Sequence, residues 1–101
     1  MAAITNPATK VTEFSGEYKL LCLNDLAITT ASDALTLSWA SNGISEITSV
    51  VACVSAGLDA AFSFVQASFS GLVITVASFE QDGTAATDFT GTKVNLIVIG
   101  K

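Results

Sequence analysis

Histidine and arginine are both missing from this chain, and proline occurs once, at Pro7. Without histidine there is no Ser-His-Asp or Cys-His nucleophile system, and the commonest metal ligand and proton shuttle is gone. Basic charge is scarce: Lys10, Lys19, Lys93 and Lys101 stand against nine carboxylates, for a net charge of −5. Phosphate neutralisation by Lys and Arg supplies most nucleic-acid affinity, so this balance excludes a nucleic-acid partner. The seven glycines are dispersed singly, which leaves no phosphate-cradling loop, and no Asn-X-Ser/Thr acceptor occurs. Cys22 and Cys53 cannot build a four-ligand zinc site without histidine. The longest uncharged apolar-rich stretch, Ile47 to Leu58, falls short of the ~20 residues a membrane helix needs. The N-terminus lacks the basic start and apolar run of a secretory signal. A two-carboxylate glycosidase remains formally possible, but Trp39 and Tyr18 are the only aromatics fit for a sugar platform. The reading is therefore a protein that is not an enzyme and uses no cofactor.

What is present is apolar: 50% of residues are hydrophobic and only 13% are charged. Ser, Thr and Ala make up more than a third of the chain, so either they form the surface or another subunit covers part of it. Residues 1–12, with Pro7 in the middle, lack sustained periodicity and read as an extended arm; residues 13–101 read as a single β domain. From Phe14 on, strand-length apolar segments recur between turn residues at Ser15-Gly16, Asn24-Asp25, Ser32-Asp33, Asn42-Gly43, Ala56-Gly57, Ser70-Gly71, Asp82-Gly83 and Gly91. That spacing predicts an all-β fold, a small antiparallel β-sandwich or barrel. The predicted strands are Tyr18 to Leu23, Leu26 to Thr30, Leu35 to Ala40, Ile44 to Val54, Ala60 to Ser68, Leu72 to Phe79 and Thr92 to Ile99. A helix over the alanine-rich Ile47 to Phe69 is the weaker alternative, because Phe62, Phe64 and the valines favour strand.

Four local readings follow. Asn42-Gly43 suits a two-residue type I′ turn, which predicts a hairpin over Leu35 to Ile47 with Leu35, Leu37 and Trp39 on one core face. Cys22 and Cys53 lie in apolar runs and read as free thiols that serve as small core hydrophobes. The acidic loop Glu80 to Asp88 offers several oxygens around Gly83 but lacks the calcium-loop spacing, and reads as a solvated turn. In the last strand Val94, Leu96 and Val98 point one way while Ile97 and Ile99 point the other. A second apolar face is unfavourable in water, so Ile97 and Ile99 are expected at a subunit interface.

The closing segment Ala86-Thr-Asp88-Phe89-Thr-Gly91-Thr-Lys-Val94-Asn-Leu96-Ile-Val98-Ile99-Gly100-Lys101, in an acidic chain with an N-terminal arm, resembles the ends of small tailed-bacteriophage virion structural proteins, notably capsid decoration or cement proteins. The resemblance implies a subunit on the capsid exterior, assembled in the host cytoplasm. It further implies a homo-oligomer, most often a trimer, that clamps copies of the major capsid protein together. The arm would be the clamp, since an extended segment can add to a sheet edge through main-chain hydrogen bonds. Its expected partner-binding residues are Ile4, Thr5, Asn6, Pro7, Ala8, Thr9, Lys10 and Val11. The alternative is a tail-fibre, receptor-binding or carbohydrate-binding tip, which calls for exposed aromatics beside Asn and Asp on loops.

Overall fold

Apolar residues at every second position give each strand one face to bury, and two sheets bury those faces against each other. The computed structural model describes residues 2–11, 13–15 and 17–101; Met1 and Thr12 of the expected arm and Gly16 of the expected Ser15-Gly16 turn lie outside the described residues. The strands are β1 (Ala2–Ala3), β2 (Glu13–Ser15), β3 (Tyr18–Ala27), β4 (Ser32–Thr36), β5 (Ile47–Ala56), β6 (Phe64–Ser70), β7 (Val73–Phe79) and β8 (Lys93–Gly100), with one helical turn, α1 (Trp39–Asn42), between β4 and β5. One sheet has the order β1-β4-β7-β6 and the other β2-β3-β8-β5. The fold is an all-β sandwich, elongated to 40 × 21 × 21 Å. Every described pairing within the sheets is antiparallel except β1 on β4, which is parallel. The helical alternative for Ile47 to Phe69 is replaced by β5 and β6.

The core is filled from both inner faces. Leu21, Leu23, Leu26, Val94, Leu96 and Val98 come from the β3/β8 sheet, Leu35, Ile74 and Val76 from the β4/β7 sheet, and Phe62, Ile28, Leu37 and Ile44 from the connections. Burying a side chain of this size contributes roughly 1.5–3 kcal/mol, which is why these positions set the layers. The Asn24-Asp25 pair, expected to separate two strands, is a bulge inside β3. The register jumps between Leu23, opposite Leu96, and Leu26, opposite Val94. Asp25 takes φ 54° there, and its amide donates to Asn95 Oδ1 at 2.9 Å. The one extra residue keeps Leu23 and Leu26 both pointing inward although three positions separate them.

The expected Asn42-Gly43 hairpin is not formed. Strand β4 ends at Thr36, and the chain makes a single helical turn capped at both ends. The Ser38 hydroxyl accepts from the Ser41 amide, and Gly43 at φ 75° closes the turn by donating to the Trp39 carbonyl. An Asn-Gly pair serves a left-handed helix cap as well as a hairpin turn, and the Ser38 cap settles the choice. Trp39, expected in the core, is consequently 62% exposed.

Candidate assembly surfaces

The N-terminal segment lies along the free edge of β4. Residues Ala2 and Ala3 pair with Asp33 and Ala34, and the Ile4 amide donates to the Ala34 carbonyl at 2.7 Å. Ile4 is buried in the chain's own core. The segment then turns at Asn6, whose Oδ1 accepts from the Ala8 amide, and reaches α1, where the Val11 amide donates to the Asn42 carbonyl. Of the eight arm residues expected to bind a partner, Thr5, Pro7, Ala8, Thr9 and Lys10 are exposed, while Asn6 and Val11 are half-buried.

Asn42 and Asn6 fasten this docking. Asn42 is fully buried, and its Nδ2 donates to Asn6 Oδ1 at 3.1 Å and to the Thr9 carbonyl at 2.9 Å. Its Oδ1 accepts from Asn6 Nδ2 at 2.7 Å and from the Ser38 amide at 3.2 Å. Both donors and both acceptor sites of the Asn42 amide are thus used, as a buried amide requires. The arm also supports Asp33, a buried carboxylate. Burial raises its pKa, but hydrogen bonds from the Thr30 hydroxyl and from the Thr29, Thr30 and Ala2 amides outweigh burial and hold the carboxyl below its ordinary value.

This docking sets Trp39 at one end of the sandwich beside arm residues 9–11. Lys19 Nζ sits 4.3 Å from the Trp39 ring centroid and donates to the Gly43 carbonyl at 3.1 Å. On the other face of β3, Tyr18 shares the outward phase with Leu20 and Cys22, and Lys101 Nζ lies 5.6 Å from its ring. The chain's only tryptophan and only tyrosine each hold a lysine over a ring face, in a protein with four lysines and no arginine. Exposed Trp and Tyr with neighbouring cations are the residue types over-represented at protein contact sites.

A second surface is the outer face of the β2-β3-β8-β5 sheet. Leu20 stands opposite Ile99, and Cys22 opposite Ile97, which is opposite Val51 on its other side. Val51 is 58% exposed and Ile97 44%, with Tyr18, Leu20 and Ile99 exposed around them. Ile97 and Ile99 therefore lie on the outer face, and they form the middle strand of a patch three strands wide. The patch had a signal in the sequence beyond the last strand. Leu20-Leu21-Cys22-Leu23 and Val50-Val51-Ala52-Cys53-Val54 are also apolar at both phases of the alternation, and β3 and β5 flank β8.

Cys22 and Cys53 belong to this outer face. Both are free and exposed, which corrects their expected place in the core. The larger Leu21 and Leu23 take the inward phase of β3 and leave Cys22 to the outside. Cys53 lies opposite Asn95, two strands and one pleat repeat away from Cys22. That separates their Cα atoms by about 12 Å at the usual strand spacing and rise. A disulfide spans at most about 7 Å, so the two cannot pair within the chain.

The opposite outer face, on the β4/β7 sheet, carries Ser32, Ala34, Thr36, Gln66, Ser68, Thr75 and Ala77, with a stacked Phe64–Phe79 pair (centroids 5.0 Å apart) at one end. The acidic loop is an internally bonded turn. The Thr84 hydroxyl donates to Glu80 Oε2 and Asp82 Oδ1, and the Thr84 amide also donates to Asp82, which lowers the Asp82 pKa. Among the described residues no three His, Cys, Asp or Glu groups gather closely enough to hold a metal ion. No protein family, curated protein or solved structure matches the chain.

Proposed function

We propose that this chain is a non-enzymatic virion structural protein, a capsid decoration or cement subunit that binds the outer face of a phage head and stabilises the coat lattice. The observation that carries this reading is the aromatic end of the sandwich. There the exposed Trp39, set out by a capped helical turn and faced by Lys19, stands next to the docked arm, whose Val11 amide bonds to the Asn42 carbonyl of the same turn. An exposed tryptophan braced by a cation offers a large, rigid contact at low entropic cost, and the exposed arm residues Pro7 to Lys10 widen it. The major capsid protein is the partner this reading assigns. A lattice fastener needs no catalytic groups, which suits a sequence without histidine or arginine.

The carbohydrate-binding alternative gains one point from the exposure of Trp39. Against it, Lys19 covers a face of the ring on which a sugar would stack, and the amide of the neighbouring Asn42 is already fully used inside the protein. Co-sedimentation with heads that lack the protein tests the decoration reading. Wild type should bind, and Trp39→Ala should lose at least tenfold in affinity while melting normally. Undiminished binding by Trp39→Ala would remove this end as the contact, and failure of wild type to bind heads, with retention on a glycan array, would favour the alternative.

A further inference from the structure

We infer that Asn42 is a deamidation site held in check by the docked arm, and that loss of its side-chain amide releases the arm irreversibly. The inference stands apart from the decoration reading, because it is read in the free protein.

The sequence singles out one asparagine. Deamidation begins when the backbone nitrogen of the next residue attacks the asparagine Cγ, and a side chain on that next residue hinders the approach. Of Asn6, Asn24, Asn42 and Asn95, only Asn42 is followed by glycine. Asp25 and Leu96 follow Asn24 and Asn95, and Pro7 after Asn6 has no N–H to give up. At Asn42 the Gly43 nitrogen loses its proton and bonds to Cγ, and Nδ2 leaves as ammonia. Water then opens the succinimide ring at either carbonyl, which leaves aspartate or isoaspartate at position 42.

The docked arm closes this route. The Gly43 amide donates to the Trp39 carbonyl, so the nucleophile is engaged, and the Asn42 side chain is fully buried away from water. Three of the four hydrogen bonds that fix the carboxamide come from the arm, two from Asn6 and one from Thr9. Cγ can therefore turn toward the Gly43 nitrogen only when the arm lifts. Ala8, between those two arm residues, takes φ 58°, which disfavours a residue with a Cβ. This stretch of the arm is thus held by its partners and not by local preference.

The product cannot take the arm back. Nδ2 donates to Asn6 Oδ1 at 3.1 Å and to the Thr9 carbonyl at 2.9 Å, and after deamidation both acceptors face an oxygen that carries negative charge. Turning the Asn6 amide over moves the mismatch to Asn42 Oδ1 and gives up the Asn6 bonds to the Thr36 carbonyl and the Ala8 amide. Lys19, the cation bonded to this turn, is committed to the Gly43 carbonyl and the Trp39 ring. In the aspartate form the Ser38 amide still finds Oδ1, so the turn keeps that bond while the arm leaves. Release uncovers Ile4 and frees the Ala34 carbonyl on the β4 edge. An extended segment and an open strand edge are the two halves of a strand-addition contact.

Peptide mapping of the full chain, aged in warm and mildly alkaline buffer, tests the inference. Conversion is expected at Asn42 alone, and far more slowly in the folded chain than in guanidinium. Asn6→Ala removes two of the three arm bonds and should convert at least tenfold faster than wild type. Phe62 is buried in the connection leading into β6, at the far edge of the sheet from the arm, so Phe62→Leu should lower the melting temperature yet convert at the wild-type rate. Asn42→Asp, standing for the product, should speed hydrogen exchange at the Ile4 and Val11 amides at least tenfold and leave β8 unchanged. Conversion as fast in the folded chain as in guanidinium, or Asn6→Ala ageing at the wild-type rate, would overturn the inference. So would Phe62→Leu accelerating as much as Asn6→Ala, or Asn42→Asp with Ile4 and Val11 as protected as in wild type.

Discussion

Replacing Asn42 by Ala should release the arm and cost the whole domain stability. The side chain is fully buried and makes four hydrogen bonds, two with Asn6 and one each with Thr9 and Ser38. Each bond contributes about 1 kcal/mol net, and a buried group left without a partner costs about 1–3 kcal/mol. Thr9 is exposed and can turn to water, and Asn6 keeps its bonds to the Thr36 carbonyl and the Ala8 amide. The amide of Ser38, which caps α1, has no such substitute in hand. The expected loss is about 3 kcal/mol, or a fall of roughly 10–20 °C in melting temperature for a domain of this size. Urea unfolding should show a lower midpoint at an unchanged slope. Hydrogen exchange at the amides of Ile4 and Val11, which bond to Ala34 and Asn42, should accelerate more than exchange in β8. Asn6→Ala removes two of the same bonds, so the double variant should show a coupling energy of about 1–2 kcal/mol. A loss below about 0.5 kcal/mol for Asn42→Ala, or additive effects in the cycle, would refute the fastening role of this pair.

Three further outcomes are expected. A Cβ at Gly100 would run into the Glu46 carbonyl and the buried Ile44, so Gly100→Ala should cost roughly 3 kcal/mol by thermal melting, against about 1 kcal/mol for Gly71→Ala, where the space is open but φ is positive. Because the Asp33 carboxyl titrates below its ordinary value of 3.8 in the folded chain, its stabilisation is present above that value and lost as pH falls through the folded-state value. The stability gap between wild type and Asp33→Asn should accordingly be widest near neutrality and narrow steadily under acid in urea titrations. Cys22→Ser and Cys53→Ser should each change stability by less than about 0.5 kcal/mol, since both side chains are exposed, and native protein at low micromolar concentration should titrate two free thiols.

Most of the strand layout was legible because turn residues and period-two alternation agree along the chain, as they do from Leu72 to Phe79. What was not legible depended on partners distant in sequence. Asn42-Gly43 carries the same signal for a hairpin turn and for a helix cap, and the structure resolves it through Ser38 and through Asn6, which lies 36 residues away. Trp39 changes sides with that choice. The Asn24-Asp25 pair reads as a turn, yet a bulge uses the same residue types, and only the register of β8 shows that β3 continues through it. For Cys22 and Cys53 the alternation was ambiguous, because both phases of β3 and β5 are apolar. The bulkier leucines of β3 decided which phase faces inward. The apolar outer face was half legible: β8 announced it through Ile97 and Ile99, while Leu20 and Val51 join it only once strand order is known.

Electron microscopy of purified particles from the source is the most direct test of the proposed role. A sandwich 40 Å long should appear on the exterior of the head, with the end that bears Trp39 and the docked arm turned toward the coat. Density for the chain at a tail tip, or its absence from the particles altogether, would contradict that role.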